Sequence, residues 1–226
     1  MLRKPIVTLL AIVTLSLVDA TAARGATITI TNSDSGWYDV TGFHDPSVVN
    51  YIAGQFFGDQ WRNFFVFDLS AVGGQTITGA QLQLFTHEIS SSGTYTTYDV
   101  TTPVPALTAG GSGMLGTYSD LGSGLSFGSI GLSPGERYSL ILIPLNATAI
   151  TAIQANAGGL FAIGGDYLGD GGDEDYVFAF SDLDPGNTQN QLILQTAATV
   201  PDGGLTISFL GGTLMAFGML RRKFNS

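Results

Sequence analysis

Cysteine is absent from all 226 residues, which removes a disulfide framework, a thiolate metal site and a cysteine nucleophile together. A fold of this kind must be held by its core and its topology. Positive charge is almost missing from the middle of the chain. Five of the eight Lys and Arg residues lie at the two ends, as Arg3, Lys4, Arg221, Arg222 and Lys223. Residues 23–202 keep only Arg24, Arg62 and Arg137 against seventeen of the eighteen acidic residues, a net charge of −14. A body this acidic repels phosphate backbones, so no nucleic-acid partner is expected. Most of its carboxylates must face water or bind cations. Histidine is scarce too: His44 and His87 are the only imidazole bases.

What is present is short apolar alternation broken by glycine. Ile28 and Ile30 interleave with Thr27, Thr29 and Thr31, the period of a half-buried strand. A polar cluster ending at Gly36 reads as a turn, with a second strand over residues 37–40. Residues 62–69 form the central strand, because Phe65, Phe67 and Leu69 point one way while Phe64 and Val66 point the other. Arg62 stands at its start, with Asp59 or Asp68 as its expected partner. Ala80, Leu82 and Leu84 alternate with Gln81 and Gln83, a strand with one wet face. Residues 90–135, rich in Ser, Thr and Gly, read as long loops with a short edge strand at 95–100. Residues 140–143 read as a buried strand, and Asn146 caps one short helix over 147–155. Strands at 160–163, 176–180 and 191–194 complete the set. The expected fold is all-β, an antiparallel β-sandwich or jelly roll with that single helix.

Motifs for chemistry are few. Residues 124–128 match G-x-S-x-G around Ser126, but that motif needs a strand before it and a helix after it, and both flanks here are loop. His87-Glu88 lacks the second histidine of H-E-x-x-H. The densest acidic cluster is Asp166, Asp170, Asp173, Glu174 and Asp175, with Asp182 and Asp184 beyond it. It reads either as a solvated acidic turn or as a calcium site built by Asp166, Asp170, Asp173 and Asp175, although the spacing is not that of an EF-hand. Paired carboxylates could also serve glycoside hydrolysis, but no separation can be read from the sequence.

The two ends carry addresses. Arg3 and Lys4, an apolar stretch over 6–18 and small residues at Ala20 and Ala22 have the layout of a secretory signal peptide, cut by signal peptidase after Ala22. At the other end come Val200, Pro201, Asp202, Gly203 and Gly204, then an apolar run over 205–220, then Arg221, Arg222 and Lys223. Sixteen residues of helix span about 24 Å, and snorkelling arginines extend that reach. The cations place the C-terminus on the cytoplasmic side. This order of parts resembles the bacterial PEP-CTERM class of sorting tails. The resemblance implies an exosortase, a membrane-embedded protease, as the partner that recognises the motif. Residues 51–85 look like the opening of β-sandwich passengers of such tails, and are similar in style to carbohydrate-module-like sandwiches.

The expected layout is therefore a signal helix in 1–22, a sandwich in 23–199 and a sorting signal with a transmembrane helix in 200–226. The expected role is a non-catalytic protein, exported through an inner-membrane intermediate to the cell surface or extracellular matrix, with no cofactor unless calcium binds. The alternative is a carbohydrate-binding module for a surface polysaccharide. It predicts an exposed aromatic face, with Trp37, Tyr38, Trp61 and Tyr95 as its candidates.

Overall fold

The Thr/Ile alternation forms a strand that runs much further than the sequence predicts. In the computed structural model, which describes residues 25–48, 50–178 and 189–197, β1 is continuous over Thr27–Asp39. Gly36 is therefore not a turn. It lies inside the strand, paired with Phe64, and is glycine because a Cβ there would stand 2.7 Å from His44 Cε1 and 2.9 Å from Phe64 Cζ. The irregularity is a bulge between Asn32 and Asp34. Before it, Thr27–Thr31 pairs with β10 (Gln191–Thr196). After it, the strand pairs with β3 (Asp59–Asp68).

One antiparallel sheet is thus bent at β1 into two halves. The front half runs β7 (Ser139–Pro144), β4 (Ile77–Thr86), β10 and the start of β1. The back half runs the end of β1, β3, β8 (Leu160–Gly169), β5 (Gly93–Asp99) and β6 (Ser126–Leu132). β2 (Ala53–Phe56) joins β3 through Phe57-Gly58 and pairs on its other side with β9 (Tyr176–Val177). Both turn residues have positive φ, 49° and 86°, as a two-residue hairpin turn that follows strand twist requires.

The inner faces meet in one core. Phe65 and Phe67 from β3, Leu82 and Leu84 from β4, and Leu192 and Leu194 from β10 are all fully buried in it. β3 is central as expected, buried on both faces from Asn63 to Phe67. The ends of the sheet nearly meet: the Asn146 backbone N–H donates to Phe127 O at 2.8 Å and its Nδ2 to Ser126 O at 2.7 Å.

The all-β antiparallel class holds, but the expectation of a single short helix does not. Among the described residues there are three α-helices, α1 (Val104–Ala109), α2 (Leu115–Asp120) and α3 (Ala147–Ala155). α3 is the one expected, capped by Asn146, whose Oδ1 accepts the Ala149 N–H at 3.0 Å. α1 and α2 belong to the β5–β6 connection, where loops are predicted. Their Leu107, with Leu121 just beyond, closes over Tyr38, Phe64 and Val66 on the outer face of the back half, making a second core. β5 is consequently interior, between β6 and β8, and not an edge. β7 is the reverse case: Leu140 and Leu142, expected buried, are 50% and 46% exposed. Among the described residues no helix covers the front half's outer face, where Thr27, Thr29 and Thr31 are exposed and Gln191, Ile193, Gln81 and Gln83 are half-buried.

Among the described residues no helix is long and apolar enough to cross a membrane. The expected signal peptide, the motif at 200–204, the apolar run and the terminal cations lie outside the described residues, as do Asp182 and Asp184.

Candidate functional site

Among the described residues a concavity lies between α3 and the end of β5. Two adjoining hollows of about 340 and 480 Å³ share Asp99, Phe127 and Ala152. One opens towards Val100–Val104, the other along the Thr148/Thr151 side of α3. The wall opposite α3 is fixed by one carboxylate. Asp120, at the end of α2, accepts both backbone N–H groups and both hydroxyls of Thr101 and Thr102, at 2.7–2.9 Å. Asp99 is engaged as well, since it accepts the Leu125 N–H at 2.5 Å. The floor, Phe127 and Phe161, is stacked at 6.0 Å and already buried.

Among the described residues the lining therefore offers hydroxyls, the Asn156 amide, apolar side chains and a single carboxylate, with no histidine, lysine or arginine. A glycosidase needs two carboxylates about 5–10 Å apart across the bond. Acyl transfer needs a nucleophile with a base in hydrogen-bond reach. Neither set is assembled in this groove. Ser126 of the G-x-S-x-G pattern begins β6, with helix α2 upstream and strand downstream, the inverse of the order that an exposed nucleophile requires.

The acidic cluster is divided by the fold. Asp166 sits in β8, where it meets Arg62 Nη2 at 3.3 Å and accepts from Gln60 Nε2 at 3.0 Å. Arg62 thus pairs with neither Asp59 nor Asp68. Burial nonetheless raises the Asp166 carboxyl above its ordinary value, with Arg62 and Gln60 opposing. Asp175 turns inwards, its carboxylate taking the Gly171 and Gly172 N–H groups. The Ser91 hydroxyl beside it, ahead of those two amides, holds its carboxyl below the usual range. Asp170, Asp173 and Glu174 face solvent. The four expected calcium ligands do not converge, because β8 carries Asp166 to Arg62 while the turn folds Asp175 back on its own backbone. No three acidic or imidazole side chains form a metal-holding group among the described residues.

The remaining candidates are core residues. His44 is 2% exposed and packs on Trp37, Tyr38 and Phe64. Burial lowers its pKa, opposed by the nearby Trp37 backbone and by Asp34 and Asp45. His87 is also buried, against Tyr51 and Phe85. Of the aromatics expected on a sugar-binding face, Trp37, Tyr38 and Tyr95 are buried and Trp61 is half-buried against Trp37. Tyr38 donates to Leu107 O at 2.8 Å and its hydroxyl is pushed up to about 12 by burial. Tyr95 donates to Asn63 Oδ1 at 2.7 Å. Sequence reasoning missed Asp120, although an acid at the end of a Gly/Ser-rich stretch, facing paired threonines, is the kind of residue that staples a loop.

No protein-family model matches this chain, and no curated protein matches it in sequence.

Proposed function

We propose that the chain is an exported, non-catalytic surface or extracellular-matrix protein, sorted by an exosortase-type signal in residues 200–226. What carries this reading within the body is the position of its two ends. The Thr196 N–H donates to Ala26 O at 2.9 Å, and the Ala26 N–H donates to Thr196 Oγ1 at 3.3 Å. A tail leaving at Ala197 therefore departs beside the point where a cleaved signal peptide would have led in. The bent sheet is read here as the β-sandwich passenger. The groove, with one carboxylate and no imidazole, supports a display role over a catalytic one.

On this reading signal peptidase removes residues 1–22, an inner-membrane intermediate is held by the apolar run over 205–220 with Arg221, Arg222 and Lys223 inside, and an exosortase-like protease acts at Val200–Gly204. Replacing Pro201 and Asp202 with Ala leaves the apolar run intact. Cells should then accumulate a membrane-bound form heavier than the processed wild type by about 25 residues, the length of a tail able to span a bilayer. Equal masses and identical fractionation for the two proteins would sink the sorting reading and leave a plain anchor.

A further inference from the structure

We infer that the outer face of the front half binds an uncharged polysaccharide. The inference deepens the surface-display reading and rests on it only for where such a polymer is met.

The face is unusual in charge. None of its four strand segments, Thr27–Thr31, β10, β4 and β7, contains Asp, Glu, Lys, Arg or His, in a body of net charge −14. It is also in register. One row across the sheet reads Thr31, Gln191, Gln83 and Leu142. The next reads Thr29, Ile193, Gln81 and Pro144. Within the first row the Gln83 amide donates to Gln191 Oε1 at 3.2 Å and to Gln189 O at 3.0 Å, which fixes its orientation. Along β7 the polar rows end in an apolar rail, Leu140 and Leu142, with Tyr138 just before it. Tyr138 is 60% exposed and holds φ at 56°, a conformation uncommon for a bulky residue.

The equivalent face of the back half is covered by α1 and α2, whereas no described helix covers this one. Amides and hydroxyls at fixed strand spacing can pair with a polymer dense in hydroxyls, and an aliphatic and aromatic rail can take its C–H faces. Two observations choose this occupant over others. Three strand spacings by three residue pairs give about 14 Å by 20 Å, roughly 300 Å², well under the roughly 800 Å² per partner of a stable protein interface. An anionic polymer, or a second copy of this chain, would also bring its charge against an acidic body. A neutral linear chain meets neither objection.

The test is gel retardation of the full chain in mild detergent, through gels holding a β-glucan, a xyloglucan or a galactomannan, with alginate as the anionic control. At least one neutral polymer should retard the protein and alginate should not. The double variant Thr29→Glu/Gln81→Glu puts unpaired charge on both sides of Ile193 and should weaken retardation about tenfold or more, the effect of burying charge without a partner. Leu142→Gln removes part of the rail at a half-exposed site and should weaken it less, and unchanged melting of both variants would show that the fold persists. Absence of retardation by every neutral polymer overturns the proposal, as does equal retardation of wild type and both variants. Sedimentation showing a dimer that Thr29→Glu/Gln81→Glu dissolves would assign the face to a second copy instead. None of these outcomes touches the tail, so failure here leaves the sorting reading standing.

Discussion

Arg62 and Asp166 oppose each other across β3 and β8, one step beyond the paired Asn63 and Gly165, with Nη2 and Oδ2 3.3 Å apart. The same guanidinium donates to Tyr118 O at 3.1 Å and Ser119 O at 3.3 Å near the end of α2, and lies 4.5 Å over the Tyr118 ring. One of the few cations of the body therefore ties the helical cover to the sheet. Arg62→Ala should cost about 2–4 kcal/mol, because it strands a largely buried carboxylate and frees two helix-end carbonyls. Thermal unfolding measures this, and a loss under 1 kcal/mol would remove Arg62 from the structural account.

Asp166 gives a pH signature of its own. With its folded pKa above the unfolded value, the native state binds the proton more readily, so this group adds stability as pH falls through the folded pKa towards the unfolded value near 4. Asp175, held low, works the other way: its contribution is present above the unfolded value and lost as pH falls through the folded one. Asp166→Asn should therefore steepen acid destabilisation. Stability curves for wild type and variant that stay parallel down to acid pH would show that Asp166 is not raised.

His44 predicts a loss at milder acidity. Its pKa is lowered by burial, so the unfolded chain takes up the proton first and stability declines as pH drops below about 6.5. His44→Gln should flatten the stability profile between about pH 7 and 5, where an ordinary histidine titrates. A variant with the same slope as wild type would assign that slope elsewhere.

Asp120 holds four donors of Thr101 and Thr102. Asp120→Ala should cost about 1–2 kcal/mol, because the two Thr102 donors are part-buried while water can satisfy the exposed Thr101 pair. Limited proteolysis should then cut within residues 100–125 before any other described segment. First cleavage elsewhere would contradict the staple.

Calcium at millimolar concentration should leave the melting temperature unchanged, since Asp166 and Asp175 are committed to other partners. A rise with calcium that a chelator reverses would show that the turn at 170–175 rearranges to bind.

Strands buried by alternation were legible in the sequence, and strands placed by their neighbours were not. Ala80, Leu82 and Leu84 follow period two and are buried as their pattern requires. Gly36 misleads, because glycine answers equally to a turn and to a close approach, and only His44 and Phe64 above it decide. Leu140 and Leu142 read as core because an exposed leucine and a buried one look alike in a four-residue run. α1 and α2 hide because six-residue helices are too short to show a 3.6-residue period, and neither has a side-chain N-cap bond. α1 even carries Pro105, which helices tolerate in their first turn. The acidic turn was visible as composition, but its division between Arg62 and backbone amides depends on strand positions more than a hundred residues apart.

The pairing of Ala26 with Thr196 joins residues 170 positions apart, and β10 lies between β1 and β4 in the front half. A chain that emerges N-terminus first can close the back half through β3, β5, β6 and β8 while β1 and β4 still lack the strand that separates them. Contacts of such long range form slowly, after the loop between them has been closed. The front half should therefore assemble last, with the gap between β1 and β4 unfilled until residue 196 is free.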